Sequence, residues 1–400
     1  MHANTVRVYL VLSFLHRFSF SFSMAMYVVY LQSRGGLNLF QVNMVNFTYF
    51  ATMMALEIPT GAFADLFGRK ISFVIGNFLR GLSFLIYGIA GSFGFFILAE
   101  AICAVGSTFE SGAFKSWMVS RVRHFGYTGN NFSKVFSLAN TLGNIAGIVS
   151  AYIGARVSDH NLSMPWFLAS AGYLVLGIVS TIFMKEEYFE RKKYSLKNAI
   201  KETVNMTRKG IAYARTNREV MFLFAWGLVF FVSVQAPNMQ WQPFFKGFFS
   251  SNETLGRIMG GIKLCLLAGS VMAPLLLRFV KDQRKSLILL NLIIGVCIAL
   301  SVMFGQVGLV IPIFLLHEIG RGMLDPILDS YLHDNIAKEN VRATVSSFVS
   351  NSAHIGAMIG LLGSGMLANN GSIPLAWIGS GVFLVIGTIG VSVLVKKIWR

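Results

Sequence analysis

The sequence predicts an all-α integral membrane protein: twelve transmembrane helices in two six-helix bundles. Three observations carry this. The 400-residue chain is 54% hydrophobic and only 13% charged, roughly half the charged fraction of a soluble domain. Apolar runs near the ~20 residues that cross a bilayer recur along its whole length. Its Lys and Arg residues gather in short segments between those runs, as the positive-inside bias predicts. The formal charge of +17 therefore reflects a partnership with the lipid bilayer, and its distribution argues against nucleic acid.

The spans can be drawn in order. The first, 6–31, has an apolar run from Val6 to Leu31 interrupted by His16-Arg17, too long for a signal-peptide core and read as a retained helix. Spans 38–64 and 71–91 flank the stretch GAFADLFGRK, span 94–120 carries FESG, span 132–156 carries TLGNIAGIVSAYIGA, and span 165–184 is uniformly apolar. The segment 185–218 is polar and basic, with Leu196, Ile200, Val204 and Ile211 at roughly helical spacing, which predicts an amphipathic surface helix. Span 219–246 holds QAPNMQWQPF, followed by spans 256–280 and 286–305. Span 308–335 carries HEIGRGMLDPILDSYLHD, and spans 343–368 and 374–395 complete the set. The expected domains are a bundle at 1–184, a linker at 185–218 and a bundle at 219–400. Cys103, Cys265 and Cys297 fall inside apolar runs and read as free thiols, with no disulfide framework.

With both termini cytoplasmic, inside segments hold 25 of the 34 basic residues and outside segments four. That ratio sets the expected topology of a multi-pass plasma (inner) membrane protein. The halves echo each other. A shift of 215 residues places Pro274 on Pro59 and Arg284-Lys285 on Arg69-Lys70, and a shift of 213 places Gly356 and Gly360 on Gly143 and Gly147. Parallel repeats of this kind suit one large transporter architecture.

GAFADLFGRK, between spans two and three, resembles the signature loop G-x-x-x-D-x-x-G-R-K of the major facilitator superfamily, with Gly61, Asp65, Gly68, Arg69 and Lys70 all matching. The preceding EIPT resembles a variant common among bacterial members. Each residue type has a physical use. Gly61 lets helices approach closely, Asp65 can face a positive helix N-terminus, and Gly68 permits a tight turn. Arg69 can pair with Asp65, and Lys70 can hold the loop at the surface. The resemblance implies that the helix facing Asp65 is span eleven, and that the loop is a breakable cytoplasmic latch favouring the outward-open state. It also implies alternating access around a cavity lined mainly by spans 1, 2, 4, 5, 7, 8, 10 and 11.

Ionisable groups inside spans are expensive and are functional candidates by default. Arg17, Arg80, Glu110 and Asp325 reach similar depth along their helices. Arg17 is the expected cationic partner of Glu110. Glu57, Gly61 and Asp65 share one helix face, and His354 on span eleven lies at comparable depth. A Glu57–His354 contact is expected, either passing a proton or sealing a helix interface. In span ten, His317, Arg321, Asp325 and Asp329 form an i, i+4 stripe, with Glu318 three residues before Arg321. The stripe suits cavity chemistry or structural pairing. Glu57, His354, Glu110, Glu318 and Asp325 are the proton-coupling candidates. Arg17, Glu110, Asn140, Asn144, Gln235, Asn238, Arg321, Asp325 and Asn351 are the cavity and substrate candidates. Lys115 and Lys263 read as snorkelling, and Glu100 is open to a cavity role.

Proton-driven exporters of the superfamily usually carry an Arg in span four and a Gly-Pro pair in span five. Here the aligned position is Ile102, and span five lacks the proline. No nucleotide loop, metal-spaced His/Cys cluster or catalytic triad pattern is apparent, so no enzyme, cofactor or metal is expected. The reading is a monomeric secondary transporter of a small molecule, coupled to protons and exporting an amphiphilic or drug-like solute. The alternative is a proton-coupled importer or facilitator of a polar, anionic or zwitterionic metabolite or metal chelate.

Overall fold

The computed structural model describes residues 2–126, 132–189, 197–198, 200–201, 204–205, 208, 211–212, 216–335 and 339–398. The regular elements among these residues are helical: α1 His2–Met24, α2 Tyr27–Gly35, α3 Leu39–Phe67, α4 Arg69–Ile89, α5 Phe93–Glu110, α6 Ala113–His124, α7 Phe132–Ser158, α8 Met164–Phe183, α9 Arg218–Ser233, α10 Gln235–Lys246, α11 Asn252–Val280, α12 Gln283–Leu300, α13 Val307–Asn335, α14 Glu339–Asn370 and α15 Ile373–Ile398. Among the described residues, nine helical segments are long and apolar enough to span a membrane, and the α1–α2 pair, bent by 45°, makes a tenth. The remaining two, α3 and α14, have 29 and 32 residues. At ~1.5 Å per residue each exceeds the ~30 Å apolar layer. The amphipathic helix expected in the 185–218 linker falls largely outside the described residues.

Three of the twelve spans are broken, and the sequence explains two breaks. Between α5 and α6 the chain turns at Gly112, whose φ of 73° favours glycine. Between α9 and α10 the fourth residue after Ser233 is Pro237, which has no N–H to donate back to the Ser233 carbonyl.

The chain folds into two compact units: Met1–Leu37, Ala51–Val204 and Phe249–Gly260 form the first, and Asn38–Phe50, Asn205–Phe248 and Gly261–Arg400 the second. These bounds differ from a simple halving of the chain because two short segments are anchored by polar contacts. In the second unit, Asn43 Nδ2 donates to the Leu361 carbonyl at 2.7 Å and to Ser364 Oγ at 3.1 Å. In the first, the Asp159 carboxylate accepts the backbone N–H of Asn252 at 2.8 Å, and Tyr152 donates to Glu253 at 2.9 Å.

Within the first unit α4 packs between α5 and α8, while α1 packs on α7 and α8. A buried aromatic knot fills the angle, with Tyr87 stacked on Trp166 at 4.3 Å between ring centres. Within the second, α12 packs on α13 and α15, and α14 on α9. The repeat expected from the glycines is visible in this packing. A Cβ at Gly147 of α7 would lie 3.1 Å from Ser21 Oγ of α1, and one at its repeat mate Gly360 of α14 would lie 2.2 Å from the Val232 carbonyl oxygen of α9. In lipid, where apolar burial does not drive helices together, such backbone approach is a principal source of attraction.

The start of α4 is held by an acid from the far end of the first unit. Glu186 accepts the backbone N–H groups of Arg69 and Lys70, each at 2.9 Å, satisfying two otherwise orphan donors of the helix end. Its segment is pinned in turn. Trp117 Nε1 donates to the Lys185 carbonyl at 2.9 Å, and Arg121 pairs with Glu187 at 3.2 Å. Tyr188 donates to the Trp117 carbonyl at 3.2 Å, and burial pushes its hydroxyl up from its ordinary range, so it remains a donor. Ile200 of the linker packs with Phe67 against Ala62 and Leu66.

Two substitutions test this packing by thermal unfolding in detergent. Glu186→Ala is expected to destabilise the first unit by about 1–2 kcal/mol, the range of a lost helix cap. Gly360→Val should cost about 1–3 kcal/mol through overpacking, or abolish folded yield, because the nearest obstacle is backbone that cannot rotate away.

Candidate functional site

Among the described residues, each unit contains a buried cluster in which an acid meets both a guanidinium and an imidazole. In the first, α1 supplies His16, α4 Arg80, the last residue of α5 Glu110, and α8 Tyr173. His16 Nε2 lies 2.9 Å from Glu110 Oε1 and 2.7 Å from Arg80 Nη1. Arg80 Nη1 donates to Glu110 Oε2 at 3.0 Å and to the Tyr173 hydroxyl at 2.8 Å, while its Nε donates to Ser107 Oγ at 3.1 Å. The guanidinium is 6% exposed and sits over the Phe20 and Tyr173 rings, 5.5 and 5.2 Å from their centres. Burial at that level is tolerable only with such a set of partners.

The partner of Glu110 is thus Arg80 with His16, and not Arg17 as the linear order suggested. Neighbouring residues on a helix point about 100° apart. With His16 turned into the cluster, exposed Arg17 lays its stem against α7, where a Cβ at Gly143 would meet Arg17 Cγ at 2.8 Å. Of the α7 amides, Asn140 is exposed and Asn144 half-buried. Glu100 is buried and accepts the Tyr87 hydroxyl, so the knot of aromatic residues, not a cavity, receives it.

In the second unit the cluster is built mostly on one helix. Glu318 of α13 is 2% exposed and pairs with Arg321 at 2.9 Å and with His317 at 3.3 Å. Arg321 Nη1 also donates to Asn238 Oδ1 of α10 at 2.9 Å, so the polar residue beside the α9–α10 break does meet the span-ten stripe. Fully buried His317 has its Nδ1 on the Phe314 carbonyl of the preceding turn. Asp325, the repeat mate of Glu110, is exposed, and Glu318 two turns earlier takes the acidic place. Gln235 is buried with its amide on the Phe231 carbonyl at 3.2 Å. Gln240, fully buried, donates to the Ser364 carbonyl at 3.1 Å. Asn351 and His354 are half-buried on α14, the His354 ring 5.9 Å from that of Phe50.

The motif loop is arranged differently from its sequence reading. Arg69 does not pair with Asp65: its Nη1 donates to the Ser116 carbonyl at 2.9 Å and to the Ser120 hydroxyl, both on α6. Asp65 is exposed and, among the described residues, has no ion-pair partner. A Cβ at Gly61 would meet no described atom within 4 Å. Gly68 has a φ of 105°, and its Cβ would lie 2.8 Å from Glu186 Oε2; Lys70 meets the same carboxylate through its backbone. Glu57, half-buried, belongs to the first unit and His354 to the second.

His16, Tyr173 and Glu186 were not reached from sequence. His16 carried a signal, since it is the other half of the polar pair interrupting span one. Tyr173 is one aromatic among many, and Glu186 lies 117 residues from its partner Arg69.

The sequence profile described as Major Facilitator Superfamily matches residues 9–350. An uncharacterized MFS-type transporter, YxaM of Bacillus subtilis (strain 168), is 25% identical over 377 residues, 92% of this chain and 91% of its own. The class H tetracycline resistance protein of Pasteurella multocida is 23% identical over 325 residues, 78% of this chain and 76% of its own. Among solved structures, the nucleoside transporter NupG superposes with a TM-score of 0.78 at 14% identity, covering 98% of this chain and 99% of the other. The profile match over most of the chain, on a helical membrane fold, settles the family: this chain belongs to the Major Facilitator Superfamily and is a membrane transporter of small molecules rather than an enzyme.

Proposed function

We propose that this transporter works by alternating access and exports an amphiphilic, drug-like small molecule in exchange for protons. The observation that carries the reading is the buried pair of clusters. Each places an acid beside an imidazole and a guanidinium inside a helix bundle, and intramembrane ionisable groups of this kind are typical of proton relays and solute paths. Export is supported by similarity to a tetracycline resistance protein across most of its length. Two bundles, 1–184 and 219–400, would rock about a central path in the inner membrane, with both termini cytoplasmic and the protein acting as a monomer. Arg17, Asn140, Asn144, Asn238, Arg321, Asp325 and Asn351 would face that path. Asp65 would meet the N-terminus of span eleven as the latch closes, and Glu57 would approach His354 in the same state. Ligand or proton shifts the state only through unequal affinity for the two forms.

One observation favours a second reading, proton-coupled import of a polar, anionic or zwitterionic solute. Arg321 keeps 20% of its side chain exposed beside Glu318 and Asn238, a set of both charge signs that suits a polar solute better than an apolar one. The absence of the exporter arginine at Ile102 points the same way.

A pH jump across proteoliposomes containing the purified protein, with a panel of amphiphilic and polar solutes, separates the two. Export predicts that protons and an amphiphile move in opposite directions; uptake of a polar solute together with protons would replace the first reading by the second. Glu318→Gln should lower proton-driven flux at least about tenfold, equivalent to ~1.4 kcal/mol of barrier. Asp65→Asn should change cysteine accessibility on the two sides of the membrane, and unchanged labelling on both would remove the latch.

A further inference from the structure

We propose that His16 is the proton-carrying residue of this transporter, and that its Nε2 exchanges Arg80 for Glu110 as hydrogen-bond partner when it takes up a proton. The inference rests on the proton coupling proposed above and assigns it to one atom.

The geometry contains a conflict that a hydrogen placed on or removed from His16 Nε2 resolves. Arg80 Nη1 carries two N–H bonds, yet three acceptors stand within reach: Glu110 Oε2 at 3.0 Å, the Tyr173 hydroxyl at 2.8 Å and His16 Nε2 at 2.7 Å. The same His16 nitrogen faces a donor on one side and the Glu110 carboxylate, 2.9 Å away, on the other. A bare Nε2 can accept from Arg80 but leaves nothing to offer Glu110. A protonated Nε2 donates to Glu110 and can no longer accept from Arg80. The two contacts are mutually exclusive, so the cluster has alternative states that differ in whether Nε2 carries a hydrogen, and protonation of an Nδ1–H imidazole converts one into the other.

In the neutral state the imidazole carries its hydrogen on Nδ1, Nε2 accepts from Arg80, and Arg80 and Glu110 balance in charge. A proton arriving from water binds the Nε2 lone pair. The new N–H then points to Glu110, and the two N–H bonds of Arg80 Nη1 are left for Glu110 and Tyr173. The reverse step returns the proton to water. His16 and Glu110 each keep 17% of the side chain exposed, enough for such exchange, whereas Arg80 is held in place by Ser107 and two aromatic rings.

The surrounding charges are few. From its own helix His16 has Arg17, which is turned toward Gly143 of α7. From α4 it faces Arg80, from α5 Glu110 and from α8 the Tyr173 hydroxyl at 3.2 Å. The cation of α6, Lys115, lies over the Phe136 ring of α7, 5.8 Å from its centre, and α5's other acid, Glu100, is taken by Tyr87. One carboxylate therefore decides whether the protonated form is compensated.

The test is nitrogen NMR of the full-length protein in nanodiscs with labelled histidine. The chain has seven histidines, and the spectrum of His16→Gln identifies the missing signal. At alkaline pH His16 is expected as the Nδ1–H tautomer, becoming doubly protonated as the pH is lowered. In Glu110→Gln, at the same pH, the doubly protonated signal should fade. A His16 signal fixed as the Nε2–H tautomer, or neutral at every pH at which the protein stays folded, overturns the proposal. Retention of full proton-driven flux in His16→Gln overturns it as well. If the tautomer change is present while no amphiphile is exported, the His16 assignment stands and the proposed export falls.

Discussion

A charge withdrawn from water must be compensated within reach of its own helices, and both units are organised around that constraint. Arg80 is the strongest case. Its guanidinium is met by Glu110, Tyr173 and Ser107, which draws α4, α5 and α8 to one point. The magnitudes show what this accomplishes. Polar contacts between helices in a membrane are worth on average about 0.6 kcal/mol, whereas removing one partner of a buried ion pair costs about 3–5 kcal/mol. The cluster therefore adds little net stability while penalising every arrangement that leaves one member alone. It selects which helices meet, and the tight glycine contacts then supply the packing.

The two units satisfy the same constraint by different routes, and the difference bears on mechanism. In the first, acid, guanidinium and imidazole come from three helices, so the ionic bonds tie helices together and a change in protonation is felt by all of them. In the second, Glu318, Arg321 and His317 share α13. Most of the compensation is complete within one helix, and only the Asn238 contact crosses to another. A helix that neutralises itself is freer to meet a solute, whereas a helix neutralised by its neighbours is better suited to transmit a proton. Within the proposed mechanism, this division would make the first unit the better transmitter of protonation between helices.

What sequence could show follows from the range of each physical signal. Apolar length and basic flanks are local, so the spans were legible, and the shifted glycine pairs fall on corresponding contacts, α7 on α1 and α14 on α9, although the sequence named no partner helix. The depth of a charge along its helix was also legible, and Glu110, Arg80 and Arg321 all proved to be cluster members. Direction around the helix was not. Choosing Arg17 over His16 is an error of one residue, about 100° of rotation, and no periodic signal in a nearly uniform apolar run corrects it. Glu318 and Asp325 were both proton-coupling candidates, and it is Glu318, not Asp325, the residue 215 positions after Glu110, that joins the cluster, since repeats preserve helix packing more faithfully than side-chain pairing. Where charge is neutralised within a turn, as by Glu318 and Arg321, the acid can move along the helix without disturbing the architecture.

The motif loop shows how a short pattern can be recognised for one reason and required for another. Gly68 was read as a turn residue, and its φ of 105° agrees. With ψ at 146° this backbone lies beside a region that essentially only glycine occupies. The second constraint is steric and electrostatic together: any Cβ there would approach Glu186 Oε2 to 2.8 Å, and the carboxylate cannot retreat without releasing the N–H groups of Arg69 and Lys70. An aspartate would add like charge at that contact, and an asparagine would add bulk. Glycine is then demanded twice, by the backbone of the loop itself and by a carboxylate more than a hundred residues away in sequence. The same carboxylate links the loop to the segment leading into the linker, so a force on that linker reaches the start of α4 through one helix cap.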